Sequence, residues 1–185
     1  MYQSCSSIGG LNGGVDTIMV LKLHINKASQ EGCTMDKKFK YQEASMADLH
    51  RRWDINIANN TGDDNWITWK TEVIKKNESG EIKTFVVLYG EEPIGEGTLV
   101  FSTHSVEINA LRIEKQFEGK GHISKLVKVM EQYAKSKGYR TATIGVEPEE
   151  TRNISIYLHW GYDTFVKPEY SEIEQGLILV YSKEL

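Results

Sequence analysis

The chain contains few of the residues that mark several common classes of protein. Its 185 residues include only 2 cysteines and 3 prolines. Cys5 and Cys33 form neither a C-x-x-C pair nor a His/Cys cluster, so a zinc site of the usual spacing is excluded and reduced thiols are favoured. No apolar run approaches the roughly 20 residues that span a bilayer, and no signal-peptide pattern precedes the first strand-like segment. We expect a soluble, cytoplasmic protein without a metal.

Basic charge is also scarce. The chain has 22 Lys and Arg against 26 Asp and Glu, which gives a formal net charge of −4. No run of five or six like charges occurs. A protein that binds nucleic acid or an anionic membrane through a broad basic face is therefore not expected. A neutral or cationic small molecule is the more natural partner.

The first 34 residues differ from the rest of the chain. They begin with the glycine- and serine-rich stretch SSIGGLNGG and continue into a strand-like segment. We predict that residues 1–34 are an extension outside the core fold and that residues 35–185 form one compact domain. The alternative is an additional strand that pairs with a sheet edge or with a neighbouring subunit.

Periodicity predicts the order of elements in residues 35–185. It indicates a strand, two helices, a β-hairpin, a further strand, a long helix, a strand, a short helix and two closing strands. Ser45 followed by Asp48 is a variant capping box that opens the first helix. The segment KPEYSEIEQ, residues 167–175, is predicted to be a loop.

The strand that precedes the long helix changes its pattern in the middle. The apolar residues Val106, Ile108 and Ala110 occupy even positions, whereas the next apolar residues, Leu111 and Ile113, occupy odd positions. A period of two residues changes face only if one extra residue is inserted, so we predict a β-bulge within residues 109–111.

A glycine-rich turn follows this strand and leads directly into the long helix. Such a turn presents backbone N–H groups to an anion at the positive end of the helix dipole. Two common phosphate motifs do not fit: a Walker loop needs Ser or Thr after Lys120, where Gly121 stands, and a dinucleotide fingerprint needs glycine in place of Ser124.

What does fit is the pattern Q-x-x-G-x-G, which occupies residues 116–121, together with the segment IYLHWGY at residues 156–162. These two motifs, in this order and between these elements, resemble the GCN5-related N-acetyltransferase (GNAT) superfamily over about residues 37–185. The resemblance implies an α+β fold, with a mixed, mostly antiparallel sheet that is splayed in the middle and flanked by about four helices.

The same resemblance implies that the anion is the pyrophosphate of acetyl-CoA. The N–H groups from about Glu118 to Ser124 would bind it, and no metal is implied. The cofactor-binding residues expected on this basis are Leu111, Ile113, Gln116, Phe117, Glu118, Gly119, Lys120, Gly121, His122, Ile123, Ser124, Asn153 and Tyr157.

Acetyl transfer to an amine needs a base, an oxyanion donor and an acid for the departing thiolate. The resemblance assigns the oxyanion donor to the backbone N–H of Leu111 and the general acid to Tyr157. For the base it suggests Glu107 acting through water. Glu147, at the end of the following strand, is a substitute, and water alone is a third alternative.

The resemblance implies transfer of an acetyl group to a primary amine, by direct attack in a ternary complex. Acidic and aromatic residues in the variable loops suggest a small cationic acceptor, and the candidate contacts are Asp63, Asp64, Trp66, Glu147 and Tyr170. The alternatives are a non-catalytic acyl-CoA-binding regulatory module and an acetyltransferase of protein N-termini. A homodimer is compatible with the family.

Overall fold

The computed structural model describes residues 38–59, 65–171 and 175–185. The predicted extension of residues 1–34 lies outside these ranges. The described elements, in chain order, are β1 (Phe39–Glu43), α1 (Met46–Asn59), α2 (Asn65–Ser79), β2 (Ile82–Tyr89), β3 (Glu92–Phe101), β4 (Val106–Ile113), a 3₁₀ helix (Lys115–Phe117), α3 (His122–Ser136), β5 (Thr141–Val146), α4 (Thr151–His159), β6 (Thr164–Ser171) and β7 (Gly176–Glu184).

The strands form one sheet with the order β1-β2-β3-β4-β5-β7-β6. The pairing of β4 with β5 is parallel, and the other pairings are antiparallel. This mixed sheet and its four flanking helices within the described residues confirm the predicted α+β fold. None of the described helices is long and apolar enough to cross a membrane.

The predicted capping box opens α1. The backbone N–H of Ser45 donates to Asp48 Oδ2 at 3.0 Å, and the backbone N–H of Asp48 donates to Ser45 Oγ at 3.1 Å. These two bonds satisfy donors that a helix start leaves without intrahelical partners. They fix where α1 leaves β1 and therefore how α1 lies against the sheet.

Helix α3 covers one face of the sheet, and α1 and α2 cover the other. The α3 face holds the main core, in which the helix buries Leu126, Val127, Met130 and Ala134 at helical spacing. On the opposite face, Leu49 and Trp53 of α1 are each 1% exposed. Burying each large apolar side chain contributes roughly 1.5–3 kcal/mol, so these two layers hold β2, β3 and β4 rigidly.

The sheet opens between β4 and β5. Their parallel pairing covers only residues 106–108 of β4 and 142–144 of β5. Both strands continue beyond it, to Ile113 and Val146. Because parallel strands run in the same direction, the unpaired ends lie together and leave a splayed opening at the carboxyl end of the pair, as predicted.

The predicted bulge lies on β4 at this opening. The register pairs Asn109 with Thr98 and Arg112 with Glu96, so two residues of β4 oppose the single residue Gly97 of β3. Ala110, one of the two, has a φ of 52°. A non-glycine residue in this region is uncommon and marks local backbone irregularity.

The predicted loop over residues 167–175 is wrong in its first half. Strand β6 runs to Ser171 and includes Pro168, which pairs with Leu179 of β7. Proline is tolerated there because β6 is an edge strand of the described sheet. A proline, which has no backbone N–H, is accepted on an edge strand but not in the middle of a sheet. Residues 172–174 lie outside the described ranges.

Candidate active site

The glycine turn adopts the conformation that an anion site requires. Gly119 has a φ of 69° and Gly121 a φ of 76°, both in the left-handed region. Gly121 is the N-cap of α3 and supplies no side-chain cap, and Lys125 N–H donates to its carbonyl at 3.2 Å. The N–H groups of the first three residues of α3, 122–124, therefore have no intrahelical acceptor and point out of the helix start.

The space around the turn fits a phosphate. A Cβ built on Gly119 or on Gly121 would meet nothing within 4 Å, so the backbone is open to an approaching group. Lys120 Nζ donates to the carbonyl of Gln116 at 2.8 Å, which closes the turn and keeps a positive charge beside it. Glu118 is exposed to solvent. Orphan N–H groups, a helix dipole and a nearby cation together form a suitable site for pyrophosphate.

The buried His122 and three half-buried aromatic residues hold the start of α3 against β1. His122 is 7% exposed, and its Nδ1 lies 2.8 Å from the hydroxyl of Tyr41 in a hydrogen bond. Its ring centroid lies 4.2 Å from that of Phe39 and 6.3 Å from that of Phe117. The side chain of His122 is thus structural, and its role is to position the backbone N–H groups of the turn.

The environment of His122 predicts a pH dependence of stability. Burial lowers the pKa of His122, and the charges of Lys125 and Lys120 lower it further. The unfolded chain binds the proton of His122 more readily than the folded chain does. The contribution of His122 to the free energy of unfolding should therefore be fully present above pH 6.5 and should be lost as the pH drops below it. The slope should reach at most about 1.4 kcal/mol per pH unit.

Urea unfolding of the wild type and of His122→Gln between pH 5 and pH 8 measures this dependence. We expect a shallower slope in His122→Gln, and His159→Gln, which alters an exposed histidine of α4, should keep the wild-type slope. Equal slopes for the wild type and His122→Gln would show that His122 does not cause the loss.

Tyr157 lies on α4, half-buried beside the core, with its ring centroid 5.7 Å from that of Trp160. Burial raises the pKa of Tyr157, and the negative charge of Glu150 raises it further. The phenol therefore stays protonated well above neutral pH, as a proton donor to a thiolate must. Glu150 in turn accepts a hydrogen bond from Asn153 Nδ2 at 2.9 Å.

The other expected cofactor residues lie on β4, in the 3₁₀ helix and on α3. Leu111 is half-buried and contacts the core, and a Cβ on Gly97 would come within 2.7 Å of Leu111 Cδ2. Ile113 pairs with Gly95. Ile123 packs half-buried against the core, and Gln116 Nε2 donates to Glu114 Oε2 at 3.0 Å. Glycine at position 97 is what allows the bulged strand and α3 to approach so closely.

The two candidate bases are both exposed. Glu107 points away from the buried Val106 and Ile108, as predicted, and its Oε1 lies 3.4 Å from Asn109 Nδ2. Glu147 directly follows β5. Glu107 lies on β4 and Glu147 lies at the end of β5, the two strands that diverge, so each remains a candidate.

The described structure does not bring the predicted acceptor-binding residues together. Tyr170 is 66% exposed on β6, which β7 separates from β5. Asp63 and Asp64 lie outside the described residues, and Trp66 lies in the first turn of α2, where only the backbone is described. The preference for a cationic acceptor therefore stays a prediction.

Sequence reasoning missed a charged and aromatic cluster on the α1–α2 face. Glu96 of β3 is 1% exposed, and its Oε2 accepts a hydrogen bond from Trp53 Nε1 at 3.0 Å. Its Oε1 lies 3.6 Å from Arg112 Nη1. The guanidinium carbon of Arg112 lies 5.3 Å from the ring centroid of Trp69 in α2. The available signal was a lone glutamate within the largely apolar strand PIGEGTLVF.

A sheet that opens beside a bulge, followed by a glycine turn at a helix start, is the arrangement expected of a protein that binds acyl-CoA. The chain matches the model of the acetyltransferase (GNAT) family over residues 44–162. It therefore belongs to this family, whose members use acetyl-CoA as the acetyl donor. No curated protein sequence matches the chain. Within the described residues, no group of three or more His, Cys, Asp or Glu side chains could hold a metal ion.

Several solved structures share the fold. RimL, a ribosomal L7/L12 alpha-N-protein acetyltransferase, is 12% identical with a TM-score of 0.65, over 80% of this chain and 90% of that chain. A GNAT family acetyltransferase from Elizabethkingia anophelis with acetyl-CoA bound is 16% identical, with a TM-score of 0.54 over 80% and 98%. The PaiA N-acetyltransferase from Thermoplasma acidophilum, in complex with coenzyme A, is 18% identical, with a TM-score of 0.56 over 80% and 99%.

Proposed function

We propose that the protein transfers the acetyl group of acetyl-CoA to the primary amine of a small molecule, by direct attack of the amine within a ternary complex. The observation that carries the proposal is the opening between β4 and β5. It lies beside a bulged backbone and is followed directly by the phosphate-binding turn. These features would bring a thioester and an amine together at one point of the sheet.

The turn at residues 118–124 would bind the pyrophosphate, and Leu111 and Ile113 would line the pantetheine arm. Acetyl-CoA supplies the thioester. The backbone N–H at Leu111 stabilises the negative charge that develops on the carbonyl oxygen. Glu107 or Glu147 takes a proton from the attacking amine, directly or through water. Tyr157 donates its proton to the sulfur, so that one C–N bond forms as one C–S bond breaks.

The α1–α2 face supports a small acceptor. The glycine turn lies on the face of the sheet that α3 covers, and the hydrophobic core occupies that face. An amine can approach β4 from the opposite face, where Glu107 and Asn109 are exposed. On this face Arg112 contacts the ring of Trp69 just after the bulge, and this contact would narrow the path by which the amine reaches β4. A narrow approach suits a small amine better than a long peptide.

An acceptor panel with product identification tests the proposal. The full chain, acetyl-CoA and one amine at a time would be incubated, with free thiol and product mass measured together. The panel should contain polyamines, amino acids, amino-acid amides and short peptides. We expect one N-acetyl product per thiol released, with small amines preferred.

Two outcomes would contradict the proposal. Binding of acetyl-CoA without transfer to any amine would indicate a regulatory acyl-CoA-binding module. Acetylation of peptide N-termini alone would indicate a protein N-terminal acetyltransferase.

A further inference from the structure

We propose that Arg112 binds an anionic group of the acceptor, so that the preferred acceptors are amino acids or other amines that carry a carboxylate. The inference rests on the proposed function and names the substrate class of the same site. It is carried by the placement of Arg112, by the contacts that fix its side chain and by the second guanidinium beside it.

The placement follows from the bulge. Arg112 comes directly after Leu111, whose backbone N–H we assign to the reacting carbonyl. Consecutive Cα atoms are about 3.8 Å apart, so the arginine begins next to the reacting centre. Its side chain lies on the α1–α2 face, because the register sets it opposite Glu96, which contacts Trp53 of α1. This is the face from which the amine can approach.

The side chain of Arg112 is both held and accessible. Its ion pair with Glu96 and its contact with the ring of Trp69 fix the guanidinium from two sides. Trp69 in turn packs edge-on against Trp53, with ring centroids 5.7 Å apart. Despite these contacts, 39% of the arginine side chain is exposed, against 2% for Glu96. Nη1 of Arg112 is buried, so a carboxylate would bind at the Nε and Nη2 edge of the guanidinium, through two parallel hydrogen bonds.

A second guanidinium lies near Arg112. Arg52 of α1 is 4% exposed, and its Nη1 lies 3.5 Å from Glu114 Oε1. Its Nε has no hydrogen-bond partner in the described part of the chain. Glu114 directly follows β4, two residues after Arg112, a rise of about 7 Å. Two guanidinium groups therefore lie at this end of β4, each within 3.5 to 3.6 Å of a carboxylate.

Glu107 completes the match to an amino acid. It is exposed on the same face of β4, on the other side of the bulge. A substrate ammonium would face the carboxylate of Glu107, and a substrate carboxylate would face Arg112. This arrangement would orient the amine toward the bulge between the two residues.

The test compares amino acids with their carboxamides, which differ only in the anionic group. We expect the wild type to prefer the acids by about 10- to 100-fold in kcat/KM, the range for a hydrogen bond to a charged group. In Arg112→Gln the ratio should fall to about 1, mainly through a higher KM for the acids. A structural ion pair alone would not change this ratio.

Two further variants keep the test decisive. Removing Arg112 alone leaves Glu96 buried without its cation, which destabilises a fold. The double variant Arg112→Gln/Glu96→Gln removes both charges. It should also give a ratio of acid to carboxamide kcat/KM of about 1. Arg140→Gln alters an exposed arginine before β5, at the opposite end of that strand, and should keep the wild-type preference. Calorimetric titration with acetyl-CoA checks that each variant is folded.

Amine acetylation without a preference for acids, or a preference that survives in both glutamine variants, would overturn the inference while leaving the proposed function intact. Better acetylation of carboxyl-blocked peptides than of free amino acids would also overturn it. Acetyl-CoA binding with no transfer to any amine would overturn the proposed function, and the inference with it.

Discussion

Gly121→Glu should weaken acetyl-CoA binding by about 100-fold or more. The substitution places a carboxylate at the N-cap of α3, where the N–H groups of residues 122–124 are proposed to hold pyrophosphate. Juxtaposed like charges cost several kcal/mol, and each 1.4 kcal/mol is a factor of ten in affinity. Calorimetric titration of acetyl-CoA into the purified variant measures the loss.

Gly138→Glu is a matched control at the other end of the same helix. Gly138 has a φ of 91°, and like Gly121 it has nothing within 4 Å of a built Cβ. Both variants should therefore lose about 1–2 kcal/mol of stability to backbone strain. Only Gly121→Glu should lose the cofactor. Equal affinities for acetyl-CoA in the two variants would place the pyrophosphate elsewhere.

Tyr157→Phe should lower kcat by about 10²- to 10⁴-fold, the usual contribution of a positioned general acid. Burial and Glu150 raise the pKa of Tyr157, so the wild-type phenol should remain protonated and kcat should not decline through loss of this proton below about pH 10. Acetyl-CoA affinity should stay within about threefold, because the ring and its contact with Trp160 remain.

Steady-state kinetics with the best acceptor of the panel, together with calorimetry, separates the two effects in Tyr157→Phe. Tyr139→Phe is the control, because Tyr139 is also half-buried but stacks on Phe101, away from the β4–β5 opening. It should keep the wild-type kcat. A kcat for Tyr157→Phe within threefold of the wild type would reduce Tyr157 to a packing residue.

Local patterns predicted the features that local physics determines. The change of parity after Ala110 predicted the bulge, because an inserted residue is the way a strand changes face. The turn containing Gly119 and Gly121 predicted left-handed backbone at the start of α3, which glycine adopts without strain. Ser45 and Asp48 predicted the helix start, since both capping partners lie within one turn.

Features that depend on distant partners were not predictable in this way. Glu96 is buried because Trp53 and Arg112 reach it from two other elements, and neither contact is encoded near position 96. The segment 167–175 was predicted to be a loop, yet its first five residues lie in β6, where they pair with β7 across the sheet. The proposed recognition of the acceptor would likewise depend on side chains from α1, α2, β3 and β4, which only the fold brings together.

The measurement that tests the central claim most directly is a two-stage mixing experiment with isotope-labelled acetyl-CoA. The full chain would first be incubated with labelled acetyl-CoA alone, and the amine would be added afterwards. Before the amine is added, we predict an unchanged intact protein mass and no released thiol. After addition, each labelled N-acetyl product should appear with one free thiol. An acetylated protein or a burst of thiol before the amine, or no labelled amide after it, would contradict direct transfer at this site.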